Sequence, residues 1–165
     1  MGNRRKAREL AMQALFYMDT REGDPGEMLD LYCRCFPIPK KSFPLFMKLV
    51  QGVMICRDRI DSIIESQSSN WKISRMPCVD RNVMRIAVYE LICCEDIPAK
   101  VSINEAIDIG KKFGTDDSGA FINGILDSIR IGIDQGRILK SGSEFVFEKE
   151  PTEDETKALR EEEEH

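Results

Sequence analysis

Between residues 3 and 18 the apolar positions Ala7, Leu10, Ala11, Ala14, Leu15 and Met18 recur at three- and four-residue spacing. That spacing predicts an amphipathic helix with one face to bury. The run from Asp19 to Gly26 is rich in turn residues and reads as a loop. A short apolar segment follows (Met28, Leu29, Leu31, Tyr32, Cys35, Phe36), stopped by Pro37 and Pro39. From Ser42, an expected N-cap, Phe43, Phe46, Leu49, Val50, Val53, Met54, Ile60, Ile63 and Ile64 keep helical period up to Ser66. This predicts a rod of ~33 Å at 1.5 Å per residue. Trp71, Ile73 and Met76 form a brief apolar return, and the sole tryptophan is expected to plug the core.

Pro77 suits the first turn of the next helix. Val79, Val83, Met84, Ile86, Ala87, Val88, Leu91 and Ile92 make that helix apolar on most sides, as a helix surrounded by others requires. Its few charges are Asp80, Arg81, Arg85 and Glu90. After the turn at 96–98, Ser102-Ile-Asn-Glu105 has the form of a capping box. Gly114 takes the expected left-handed position that closes that helix. Thr115, Asp116, Asp117 and Ser118 offer caps for a last helix carrying Phe121, Ile122, Ile125, Leu126 and Ile129. The only alternation of period two is short and isolated, at 144–147. The pattern therefore predicts an all-α bundle of about seven helices over 1–133, followed by an acidic, flexible tail over 134–165.

Length and composition fit this picture. The 165 residues, 42% hydrophobic and 32% charged, suit one soluble domain. No apolar run approaches the ~20 residues that span a bilayer, and no signal-peptide core follows the basic N-terminus, so a cytoplasmic location is expected. The net charge of −5 hides an asymmetry. Nine acidic residues against three basic between Glu148 and His165 give −6 there and leave +1 for the rest of the chain. The tail is expected to compete weakly with an anionic ligand for the basic end of the chain. Six cysteines show no pair of C-x-x-C knuckles, and the only histidine is His165. Neither a zinc site nor any other metal or cofactor is expected, and Cys56, Cys78 and Cys93 read as buried free thiols.

The chemistry of catalysis is missing. Without an internal histidine no Ser-His or Cys-His arrangement is available, and no phosphate-binding loop motif occurs. Asp116-Asp117 read as caps rather than metal ligands. Binding remains. Arg4, Arg5, Lys6 and Arg8 crowd the start of the first helix, where the macrodipole disfavours cations. The cluster is either a solvated polar face or an anion site for RNA. Taken as exposed, Arg5 and Arg8 are expected to be replaceable by Ala at little cost in stability. Phe16, Tyr17 and Phe121 are the aromatic groups that unpaired bases would stack on, with core packing as the alternative for each.

Four segments carry a family resemblance: Arg-Arg-Lys-Ala-Arg-Glu-Leu-Ala-Met-Gln-Ala-Leu-Phe at 4–16, Val-Asp-Arg-Asn-Val-Met-Arg-Ile-Ala-Val-Tyr-Glu-Leu at 79–91, Ile-Pro-Ala-Lys-Val-Ser-Ile-Asn-Glu-Ala-Ile-Asp-Ile-Gly-Lys-Lys-Phe-Gly at 97–114, and Asp-Asp-Ser-Gly-Ala-Phe-Ile-Asn-Gly-Ile-Leu-Asp at 116–127. Together they resemble the NusB family of bacterial transcription antitermination factors. The resemblance implies two small helical subdomains and a protein without enzymatic activity. It implies pairing with NusE, a small-subunit ribosomal protein, on the boxA RNA of nascent ribosomal transcripts, in a complex that helps RNA polymerase read through terminators. Carried over by motif, the RNA contacts become Arg4, Arg5, Lys6, Arg8, Gln13, Phe16, Asp117 and Phe121, and the partner-facing helix start becomes Asp80. Two departures, Ala120 in place of a frequent basic residue and Phe16 in place of a frequent tyrosine, remove polar RNA contacts and imply lower intrinsic affinity. The competing reading is a protein-binding scaffold without specific RNA recognition.

Overall fold

The computed structural model describes residues 2–69 and 71–140. Six α-helices and one 3-10 turn account for the expected seven elements: α1 Asn3–Asp19, α2 Pro25–Cys35, α3 Phe43–Gln67, the turn Ile73–Arg75, α4 Cys78–Cys93, α5 Ala99–Phe113 and α6 Ser118–Asp134. No strand occurs among the described residues. The short alternation at 144–147 and the acidic run lie outside them.

The stripe read from α1 is the face it buries: Ala7, Leu10, Ala11, Ala14, Leu15 and Met18 all enter the core. Asp24 caps α2 by accepting a hydrogen bond from the Glu27 N–H at 3.0 Å, with Pro25 at the first helical position. α3 is the rod, and α4 is its principal neighbour. At their crossing Gly52 has no Cβ because the Tyr89 ring lies where that atom would project. Every residue from Asn82 to Ile92 on α4 is buried, so α4 is the central helix, with α1, α3, α5 and α6 around it. The helices α1–α3 and α4–α6 form two halves that share one continuous core.

Several local expectations are corrected. α5 begins at Ala99 behind Pro98, three residues ahead of Ser102, so Ser102 and Glu105 lie inside the helix and form no capping box. Gly114 has φ −95° and is not left-handed. Its requirement is space, because a Cβ there would collide with Ser118 and the Gly110 carbonyl. Pro77 stands at the N-cap of α4 rather than within its first turn. Cys56 is buried as expected, but Cys78 and Cys93 are only half-buried. Trp71 does not plug the core: it is 54% exposed.

Candidate nucleic-acid interface

The four cations at the start of α1 divide into two pairs. Arg4 and Lys6 are exposed and make no ion pair among the described residues. Arg5 reaches across to α5. Its Nη2 donates to Glu105 Oε1 at 2.8 Å and to Asp108 Oδ2 at 2.9 Å, and its Nε donates to Glu105 Oε2. These bonds, that to Glu105 foremost, raise the guanidinium pKa further above its ordinary range. Arg8 departs from the expectation altogether. Its side chain is 4% exposed, and Nε donates to Glu90 Oε1 on α4 at 2.8 Å, Glu90 being 1% exposed. As placed, Arg8 is an interior strut, and the expectation that it is replaceable as a surface residue does not hold. Its burial was readable in its spacing, since residue 8 shares a helical face with Ala11, Met12 and Leu15.

Two pairs of side-chain bridges fix how α1 lies against its neighbours. Arg8 to Glu90 and Asp19 to Asn82 make α1 antiparallel to α4. Arg5 to Glu105, with Lys112 donating to Glu9 at 3.0 Å, makes it parallel to α5. One end of the bundle therefore gathers the C-terminus of α1, the start of α4, the C-terminus of α5 and the start of α6. The remaining candidate residues are at this end. Phe16 is exposed, Gln13 is half-buried, and Asp117 is exposed at the N-cap of α6 with no side-chain capping bond. Phe121, one turn into α6, is half-buried and meets Trp71 edge-on, ring centroids 6.4 Å apart and planes at 64°.

Asp80 is at the same end but faces inward. It is 3% exposed and accepts a 2.7 Å hydrogen bond from Ser118 Oγ, which ties the start of α4 to the start of α6. Burial raises its pKa, partly offset by that bond. A residue expected to face a partner thus faces Ser118 in this structure. The turn-residue pattern places Asp19 in a loop. The structure makes it the last residue of α1 and the centre of a charge network: Arg57 Nη2 at 3.0 Å, Arg81 Nε at 3.0 Å, Arg85 Nη1 at 2.8 Å and Asn82 Nδ2 at 3.0 Å all donate to its carboxylate. Desolvation alone would raise the Asp19 pKa. Arg85, Asn82, Arg57 and Arg81 outweigh it and hold the group below the ordinary value. The sequence signal was present in Arg81 and Arg85, charges on an otherwise apolar helix that require a carboxylate partner. Among the described residues no group of three or more His, Cys, Asp or Glu converges as a metal site.

Comparison with known proteins gives one consistent answer. A model of the NusB family matches residues 5–130. The transcription antitermination protein NusB of Desulfatibacillum aliphaticivorans is 59% identical over 131 residues, covering 79% of this chain and 92% of that protein. That of Desulforapulum autotrophicum is 54% identical over 140 residues, covering 82% and 98%. Among solved structures, T. maritima NusB is 36% identical with a TM-score of 0.67 over 78% of this chain and 90% of that one. A crystal structure of the antitermination factors NusB and NusE in complex with dsRNA is 30% identical with a TM-score of 0.71 over 79% and 97%. The helical fold, the four motif segments and the extent of these matches lead to one conclusion: the chain belongs to the NusB family of transcription antitermination proteins.

Proposed function

We propose that this chain pairs with NusE and binds boxA-type single-stranded RNA of nascent ribosomal transcripts in the cytoplasm, and that the complex helps RNA polymerase read through terminators. The observation that carries the RNA reading is the placement of Arg4 and Lys6. These two cations stand at the positive end of the α1 dipole, exposed and without an intramolecular counter-ion among the described residues. Helix stability does not call for them there, whereas a phosphate backbone does. Support for the partner comes from the related complex of NusB and NusE with dsRNA. A single strand suits the site better than a duplex because Phe16, Phe121 and Trp71 are at least partly exposed, and unpaired bases stack on such rings. Arg5, Gln13 and Asp117 are the remaining proposed contacts. Arg8 and Asp80 act through the packing that they hold.

A protein-binding scaffold remains the second reading, favoured by the internal engagement of Arg5 and Arg8, which halves the free cations of the cluster. Fluorescence anisotropy of a labelled boxA-type strand and a scrambled strand, each with and without NusE, separates the two. A preference for the boxA-type strand that grows with NusE is the expected result. Equal affinity for both strands under both conditions would leave the scaffold reading standing.

A further inference from the structure

The sole tryptophan occupies an unusual position. Its backbone is pinned on both sides by one residue: the Trp71 N–H donates to the Ser68 carbonyl at 3.2 Å, and the buried Ser68 Oγ donates to the Trp71 carbonyl at 2.8 Å. The next turn is held by Glu65, whose Oε1 accepts from the Ile73 N–H at 2.9 Å. The chain thus fixes the Trp71 backbone with polar bonds while leaving 54% of the residue exposed. Ordering the backbone this way spares a ligand the entropic cost of doing so.

Among the described residues the ring has a single aromatic neighbour, Phe121, and an edge contact at 64° does not cover the faces of both rings. Lys72 and Arg75, on either side of the 3-10 turn's first residues, are exposed and make no ion pair among the described residues. An exposed aromatic residue followed closely in sequence by two such cations can take a base together with its phosphates. An apolar protein surface would leave those cations uncompensated.

We infer that Trp71 is a base-stacking platform that works with Phe121, taking one unpaired base of a bound RNA strand while Lys72 and Arg75 meet the adjoining phosphates. The inference rests on the RNA-binding reading above and extends its contact surface to the segment between α3 and α4. Recognition of the base is through its π-face, so this contact adds affinity with little sequence preference.

Because the protein has one tryptophan, its emission, excited beyond the tyrosine absorption, reports this site alone within the chain. The full chain with NusE is titrated with a boxA-type single strand carrying a terminal dye, and dye anisotropy and Trp71 emission are read in separate titrations. Trp71 emission is expected to be quenched with the same midpoint as the anisotropy rise. Trp71→Ala is expected to weaken binding about 5- to 100-fold, and Trp71→Phe to restore most of the loss. An unchanged melting profile of either variant confirms that the fold is intact, and the emission titration of the unmodified chain needs no variant. A full anisotropy rise with unchanged emission and wild-type affinity of Trp71→Ala would overturn this inference and leave the RNA-binding reading in place. Emission that responds fully to NusE alone and no further to RNA would overturn it in favour of a protein contact. No anisotropy change at all would remove the RNA reading and this inference with it.

Discussion

Arg8 on α1 and Glu90 on α4 pair at 2.8 Å with both side chains almost wholly removed from solvent. Removing Arg8 leaves Glu90 as a buried, uncompensated charge, which costs about 3–5 kcal/mol, whereas removing Glu90 leaves Arg8 with the Glu105 carboxylate at 3.8 Å. Arg8→Ala is expected to lose that much in urea denaturation, and Glu90→Ala less. The double replacement Arg8→Met with Glu90→Leu is expected to lose far less, because no charge is stranded. Arg8→Ala within about 0.5 kcal/mol of wild type would show that the pair is open to water.

The two aspartates at the far end of the bundle respond to pH in opposite senses. Asp19 has a folded pKa below the ordinary 3.8, so its stabilisation is complete above that value and is lost as pH falls through the folded pKa. Asp80 has a folded pKa above 3.8, so it costs stability at neutral pH and recovers it as pH falls toward 3.8. Asp19→Asn is therefore expected to destabilise strongly at pH 7, with the gap to wild type closing below pH 3.8. Asp80→Asn keeps an acceptor for Ser118 Oγ and is expected to be neutral or slightly stabilising at pH 7. Denaturation midpoints across the acid range check both.

If Arg4 and Lys6 meet phosphates, each contact to a single strand contributes about −0.7 to the slope of log affinity against log salt. Arg4→Ala with Lys6→Ala is expected to flatten the slope by about 1.4 while leaving the melting temperature unchanged, since both side chains are exposed. The same slope in variant and wild type would place the phosphates elsewhere.

Phe121 is half-buried, so truncation removes less packing than at a core phenylalanine, where about 3–5 kcal/mol is lost. Phe121→Ala is expected to cost less than that range in thermal unfolding and to weaken RNA binding as well. A loss in the full core range, with RNA binding unchanged, would return Phe121 to a packing role.

Periodicity carried the fold. The stripes of α1, α3, α4 and α6 were legible because each buries a wide apolar face, and that requirement writes itself into three- and four-residue spacing. Charges were harder to place. Arg8, Asp19 and Asp80 read as surface residues because composition does not reveal whether a buried partner exists, and their partners Glu90, Arg85 and Ser118 are 82, 66 and 38 residues away. Ser102 and Glu105 misled for the reverse reason: a short motif matched a cap, but Pro98 had already started the helix. Trp71 stayed hidden because what holds it out of the core is a backbone clamp by Ser68, and hydrophobicity says nothing of backbone bonds.

The charged bridges between α1 and α5 have alternating sign, a cation on α1 at residue 5 and an anion at residue 9, matched by Glu105 with Asp108 and then by Lys112. Sliding α5 by one helical turn in one direction would set Glu9 against Asp108, and in the other would set Arg5 against Lys112. Either slip replaces attraction with like-charge repulsion. The pattern acts as a vernier between two helices joined mainly through long side chains, and it penalises a slip of one turn either way. Since α6 packs on α5, the same vernier sets where Phe121 stands relative to the exposed face of α1.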